Sequence, residues 1–474
     1  MAGEADTQAT ARPPSYSGIS GNAPILDEGH ALSPAFVRAV IDALGAGDEA
    51  TFDQLIAPLH AADLADLLGL VTAAERRQLV KLLSSNLNPE VLSELDEDVR
   101  EDVLRQLEPK VIARALQEMD SDDAVQVIED LTREERDSVL AYVPKVDREA
   151  VEQALSFGEF TAARLMQREF VTVPPFWNVG QVIDYMRSAA EVPDQFFEVY
   201  VVDEDFHPIG SVPTSKLLQS RRTVPLREIL ESDIYRIPAP MNQEEVAYLF
   251  NQYHLLSAPV VDDDGRLVGM ITVDDIVGVI QEETTEDILA LGGVQEEGMS
   301  DGVLTITRRR FSWLFVNLAT AIVASAVIAI FDEVIEKFVA LAILMPIVAS
   351  MGGNAGTQTL TVAVRALATR DLTPANAFRI IWREVLVGGL NGILFALVMG
   401  LAVVFWFESI VLGLVIAGAM VVNLLCAGAA GILVPLGLQR AGADPAIGST
   451  VFVTTVTDVI GFFVFLGLGA YVLA

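Results

Sequence analysis

The chain has 474 residues, 52% of them apolar, and a formal charge of −34. From Phe311 onward it carries six Lys/Arg and eight Asp/Glu, a net of −2, so the first 310 residues hold a net of −32. That acidity repels nucleic acid and favours cations as partners, and Cys426, the sole cysteine, excludes an intrachain disulfide.

Residues 1–33 have no apolar core, are not read as a signal peptide, and by their Ala, Ser, Gly and Pro content form a disordered tail. Residues 34–157 place Leu, Val and Ala at i, i+3 and i+4 between acidic turns, as in ADLADLLGLV, AAERRQLVKLL, VREDVLRQL and DDAVQVIEDL. The unit recurs loosely, with an irregular period, and predicts an all-α N-domain whose short helices stack into a superhelix.

Residues 158–280 change to short β-branched strands between helices. FEVYVVDEDFHPIGSV and SAPVVDDDGRLVGMITVDDIV are two copies of one unit: strand, acidic turn, Gly, strand, helix. The pair resembles tandem CBS domains, α/β regulatory modules that often bind adenine nucleotides or metal ions. The second copy carries the pattern G-x-h-T-x-x-D as Gly269, Thr272 and Asp275. The resemblance makes Thr272 and Asp275 nucleotide contacts, with ATP the ligand expected. In the first copy Pro213 and Lys216 replace the hydroxyl and the acid, so the ribose-binding carboxylate is missing there.

Residues 281–310 read as a connecting helix, QEETTEDILALGG, followed by the basic triplet Arg308, Arg309 and Arg310. Within 311–474 come five apolar segments, roughly 311–331, 338–363, 385–407, 410–436 and 446–472. Each reaches the length of about 20 residues that crosses a ~30 Å hydrocarbon core. The triplet, Arg365, Arg370, Arg379, Arg383 and Arg440 fall on one side of the resulting topology. Asp332, Glu333, Glu336 and Glu408 fall on the other, with Lys337 the only cation. The positive-inside rule then makes this a multidomain, multi-pass protein of the inner (plasma) membrane, with a cytoplasmic N-terminus and an external C-terminus.

Two membrane segments carry chemistry. The second contains PIVASMGGNAGTQTLTVAVRAL, where Pro346 and the pair Gly352-Gly353 weaken a helix that also bears Asn354, Gly356 and Gln358. Freed carbonyls are tolerated in a bilayer only against protein or water. Gly352 and Gly356 also form a GxxxG packing motif, but packing has no use for the two amides, which points to a pore lining. In the fifth segment Thr450, Thr454, Asp458 and Gly461 step along one helical face. A mid-membrane aspartate costs about 2.5–3.5 kcal/mol on insertion scales, so its default reading is functional. No His follows Phe311, which leaves borderline metals few ligands there. Nor does the chain contain a P-loop, a nucleophile elbow or an HExxH motif, and it is not read as an enzyme.

Taken with GGNAGTQTLTVAVRALATRDL, QRAGADPA…VTTVTDVIGFF, EETTEDILALGG and TAARLMQREFVTVP, these features resemble the MgtE-type magnesium channels over nearly the whole chain. The resemblance implies a homodimer with its pore on the two-fold axis, and a hydrated Mg2+ held by Asp458 of each subunit. It places Gly353, Asn354, Thr450 and Thr454 along the same path. It further implies that a plug helix around Gln281–Leu291 shuts the pore when cytosolic Mg2+ is high. The sensing positions it carries over are Glu244, Asp275, Glu283, Glu286 and Asp287; the N-domain ligands do not map by residue. His254 and Gly278 stand where further carboxylates are expected, and Thr450-Val451 where Gly-Pro is common. Two other readings fit the residues: a cation-coupled secondary carrier with Asp458 titrating, and a Co2+ or Ni2+ transporter of the same architecture.

Overall fold

The computed structural model describes residues 24–84, 87–188, 192, 193, 195–294 and 302–473. Most of the tail (residues 1–23) and part of the connecting segment (residues 295–301) therefore lie outside the described residues. The chain forms two compact units, Met1–Val279 and Ile280–Ala474.

The first unit opens with α1 (Pro34–Ala46), α2 (Glu49–Ile56), α3 (Ala61–Leu70), α4 (Ala73–Leu83) and α5 (Glu90–Ser93). It continues with α6 (Glu97–Leu104), α7 (Pro109–Leu116), α8 (Ser121–Glu129), α9 (Arg133–Leu140) and α10 (Lys145–Leu155). Their stacking is far more regular than the sequence suggests. The N-caps fall at Asp48, His60, Thr72, Asp96, Glu108, Asp120, Thr132 and Pro144, each a multiple of twelve residues from the first. Only the longer α4 and the short α5 interrupt the period.

The caps do the same job with different chemistry, which is why the repeat is hard to read. Thr72 and Thr132 form reciprocal capping boxes with Glu75 and Glu135, while Pro109 occupies the first turn of α7. The inner faces join one apolar core that fully buries Leu67, Leu68, Leu79, Leu92 and Ile128. Two arginines cross it. Arg76 donates to the Leu68 carbonyl at 2.8 Å and to Asp102 at 2.9 Å. Arg100 donates to the Leu95 carbonyl at 3.2 Å and pairs with the equally buried Asp130.

After α11 (Ala162–Leu165) comes the first CBS half: β1 (Thr172–Val173), α12 (Val179–Ser188), β2 (Glu198–Val202), β3 (Pro208–Pro213), α13 (Thr214–Gln219) and α14 (Leu226–Ile229). The second half holds β4 (Ile237–Pro238), α15 (Gln243–Tyr253), β5 (Ser257–Val261), β6 (Leu267–Thr272) and the start of α16 (Val273–Gly292). In each half the first strand pairs parallel and the third antiparallel to the middle strand. Both antiparallel ladders slip at the same place, Val201/Val202 and Val260/Val261, as expected of two copies of one unit.

The second unit contains α17 (Val303–Ala329), the short α18 (Asp332–Lys337), α19 (Val339–Ala368), α20 (Ala377–Phe407), α21 (Ile410–Arg440) and α22 (Ser449–Leu473). Among the described residues α17, α19, α20, α21 and α22 are long and apolar enough to cross a membrane. α21 is the central post, packed against α19, α20 and α22, whereas α17 rests chiefly on α22. Despite Pro346 and the glycine pair, α19 runs unbroken from Val339 to Ala368. Its glycines admit neighbours instead: Gly356 lies against Val453 and Ala427, so no Cβ would fit there.

Candidate functional site

Because α22 is a continuous helix, Thr450, Thr454 and Asp458 stand one turn apart along it. Asp458 is half-buried, and no ion pair to it occurs among the described residues. The Thr454 hydroxyl donates to the Thr450 carbonyl at 2.9 Å, which leaves its oxygen lone pairs free to accept. Gly353 of α19 faces this threonine: a Cβ there would meet the Thr454 methyl carbon at 3.7 Å. Asn354 and Gln358, one turn apart, are exposed on another side of α19, and Asn354 Nδ2 is 3.4 Å from Ser350 Oγ. The structure thus brings Gly353, Thr454 and Thr450 together next to Asp458, and sets Asn354 on the open face beside them.

Thr450 also has a partner that the sequence does not announce. Its hydroxyl donates to the carbonyl of Leu291, near the end of α16, at 2.8 Å. Ala290 and Leu291 pack against an apolar cluster that includes Leu360, Val364, Ala430, Ala446 and Val453. Gly293 follows in the left-handed region, φ 68°, where the indole of Trp313 leaves no space for a side chain. The same indole lies against Gly448 at the start of α22. The end of the connecting helix is therefore seated on the helix that carries Asp458.

The sensing positions separate into groups. Asp275, in the first turn of α16, accepts from the Thr272 hydroxyl at 2.8 Å, and Gln167 Nε2 donates to that hydroxyl at 3.3 Å. The two expected nucleotide contacts are thus bonded to each other. Burial pushes the Asp275 carboxyl up to about 6, with the charges of Asp274 and Asp123 adding to it. Asp123, in the first turn of α8, is likewise pushed up to about 6, mainly by burial. Asp122 beside it is also raised well above the usual carboxylate range, by burial first and then by the charge of Asp275, and its Oδ1 is buried without a hydrogen-bond partner.

Sequence reasoning singled out neither of these two aspartates. α8 is one acidic helix start among many, and only the packing of the unit brings its aspartates within electrostatic reach of Asp275. Glu244 lies instead at the start of α15, exposed. Glu283, Glu286 and Asp287 share the second half of α16 at i, i+3 and i+4. His254 caps α15 at φ 53°, and Gly278 has open space where a side chain would stand. Among the described residues no three acidic, His or Cys side chains are already gathered as metal ligands. An ion held through its own water shell, as Mg2+ usually is, needs no such closure.

Residues 345–468 match the MgtE divalent cation transporter family, residues 59–159 the MgtE intracellular N domain, and residues 162–222 and 226–282 the CBS domain. The chain is 33% identical to the magnesium transporter MgtE of Thermus thermophilus over 69% of this chain and 73% of that one. To the magnesium transporter MgtE of Enterococcus faecalis it is 31% identical, over 68% and 71%. It is also similar to the crystal structure of the cytosolic domain of the Mg2+ channel MgtE in complex with ATP, at 28% identity and a TM-score of 0.48, covering 51% of this chain and 99% of that one. The crystal structure of the soluble part of a magnesium transporter is similar at 25% identity and a TM-score of 0.47, covering 52% and 98%.

Proposed function

The chain belongs to the MgtE family of magnesium transporters, multi-pass membrane proteins with an intracellular N domain, and on that premise we propose a Mg2+-selective channel that admits Mg2+ to the cytosol and is shut by cytosolic Mg2+. The observation that carries the conduction step is Asp458, a half-buried carboxylate in a membrane helix with no protein cation paired to it among the described residues. Its counter-charge is the passing ion. A single carboxylate is one charge short of Mg2+, and a second copy of the chain supplies the other. That homodimer also covers what one chain leaves open to lipid: the amides of Asn354 and Gln358 and most of α17. Mg2+ gives up water reluctantly. The site therefore grips the hydrated ion: Asp458 supplies charge, Thr454 accepts hydrogen bonds from its waters, Gly353 leaves room beside that threonine, and Thr450 and Asn354 shape the approach.

The contact between Leu291 and Thr450 supports the closed state of the gate. With cytosolic Mg2+ abundant, ions neutralise the acidic positions Glu244, Asp275, Glu283, Glu286 and Asp287, and the connecting helix stays seated. When Mg2+ falls, carboxylate repulsion favours release. At Asp275, Asp122 and Asp123 add their charge, and the orphaned Asp122 Oδ1 is the group a hydrated cation would satisfy. A nucleotide at the second CBS half would have to open the Thr272–Asp275 bond.

The test is Mg2+ influx into liposomes holding the full chain and a Mg2+-sensitive dye. Flux is expected to run only down the gradient, to fall as internal Mg2+ is stepped up, and to vanish in Asp458→Asn. Influx persisting in that variant sinks the pore assignment, and uphill, pH-coupled uptake would favour the carrier reading.

A further inference from the structure

Asn423 lies near the middle of α21, the central helix, and is fully buried at 0% exposure. Its Nδ2 donates to the carbonyl of Val348 in α19 at 2.8 Å. The amide fills a slot made by two glycines, Gly352 of α19 and Gly461 of α22; a Cβ at either position would collide with it. Its Oδ1 is buried and receives no hydrogen bond. An apolar side chain of similar size would pack there without stranding an acceptor, so stability is not what this amide supplies. A single buried amide among apolar helices has another known use, which is to specify axial register at some cost in stability. Register is poorly determined by small residues, and these interfaces are rich in them: Gly356 against Val453, and Gly431 against Thr359.

We propose that Asn423 is a positioning residue for Mg2+ transport. It locks the register of α19 against α22 and so holds Gly353 level with Thr454, one turn from Asp458. A slip of one helical turn, about 5.4 Å, would separate the backbone of Gly353 from the carboxylate. The site would then lose the spacing that suits an ion keeping its waters, and Ca2+, which accepts variable oxygen geometry, would compete better. The inference rests on the reading of Asp458 as the pore carboxylate.

The experiment uses the full chain in liposomes, with initial Mg2+ influx measured over a range of external Mg2+ and with Ca2+ as competitor. Asn423→Leu keeps the volume and removes the donor; Asn423→Ala empties the slot and serves if the Leu variant does not fold. Met420→Ala, three residues away in the same helix and also fully buried, loosens the apolar core without touching the amide. Asn423 variants that elute as wild type are expected to shift the half-saturating Mg2+, or the Ca2+ that halves influx, about fivefold, the weight of one interhelical hydrogen bond. Met420→Ala should leave both nearly unchanged. The inference is overturned if the Asn423 variants keep both values, or if Met420→Ala shifts them equally. Asp458→Asn separates the failures: unchanged flux there overturns the pore reading and this inference together, whereas abolished flux beside unaltered Asn423 variants overturns only this one.

Discussion

Replacing Asp275 by asparagine should stabilise the ion-free first unit while weakening its response to Mg2+. In the folded chain burial raises this carboxyl to about 6, against 3.8 for the group in the open. A raised acid is protonated more readily folded than unfolded, so its contribution to stability is fullest below about pH 4 and is lost as the pH rises through 6. Above that the ionised group costs about 3 kcal/mol, at 1.36 kcal/mol for each tenfold difference in proton affinity. Asparagine keeps an acceptor for the Thr272 hydroxyl and carries no charge. Asp275→Asn should therefore exceed wild type by about 3 kcal/mol at pH 7.5 but only about 1 kcal/mol at pH 4.5. For a unit of this size the larger figure is a rise of about 6–12 °C in unfolding midpoint. The assay is thermal unfolding of residues 24–279 at both pH values, with and without Mg2+. Saturating Mg2+ at a hundred times its dissociation constant should stabilise wild type by about 2.7 kcal/mol, and the variant by distinctly less. The reasoning fails if the advantage of the variant is equal at the two pH values, or if Mg2+ stabilises both proteins alike.

Two further outcomes follow from single contacts. Thr450→Val removes the hydrogen bond to the Leu291 carbonyl; losing about 1 kcal/mol from the seated state should raise the internal Mg2+ that halves influx about fivefold, read by stepping internal Mg2+ in liposomes. Arg100→Ala strands the buried Asp130 and should cost the first unit about 3–5 kcal/mol in a urea titration. Arg105→Ala, whose pair with Glu101 is largely exposed, should cost less than about 1 kcal/mol.

Much of the architecture was legible because it follows from local composition. Five spans need only length and apolarity, and the duplicated CBS unit needs only two matching strand–turn–strand runs. The N-domain repeat was legible in kind but not in period. Asp, His, Thr, Glu and Pro all serve as N-caps, so the twelve-residue spacing leaves no matching letters. The glycines of α19 show the limit of motif reading. They signalled a weakened helix near a pore, yet Gly352 and Gly356 make room for Asn423 and Val453 while the helix continues through them.

The amino-acid order by itself determined that an acidic, helical and CBS-bearing half precedes an apolar five-span half, and that one of those spans carries an uncompensated aspartate. These are sums over neighbouring residues, and they do not depend on which elements later meet. Tertiary structure alone decided which groups share a space: Asp122 and Asp123 with Asp275, Leu291 with Thr450, and Asn423 with Gly352 and Gly461. Such pairs lie between 38 and 159 residues apart along the chain, from Asn423–Gly461 to Leu291–Thr450. No helical period connects them. Burial, the physical cause of the raised carboxyls and of the stranded amide oxygen, exists only once the helices have packed.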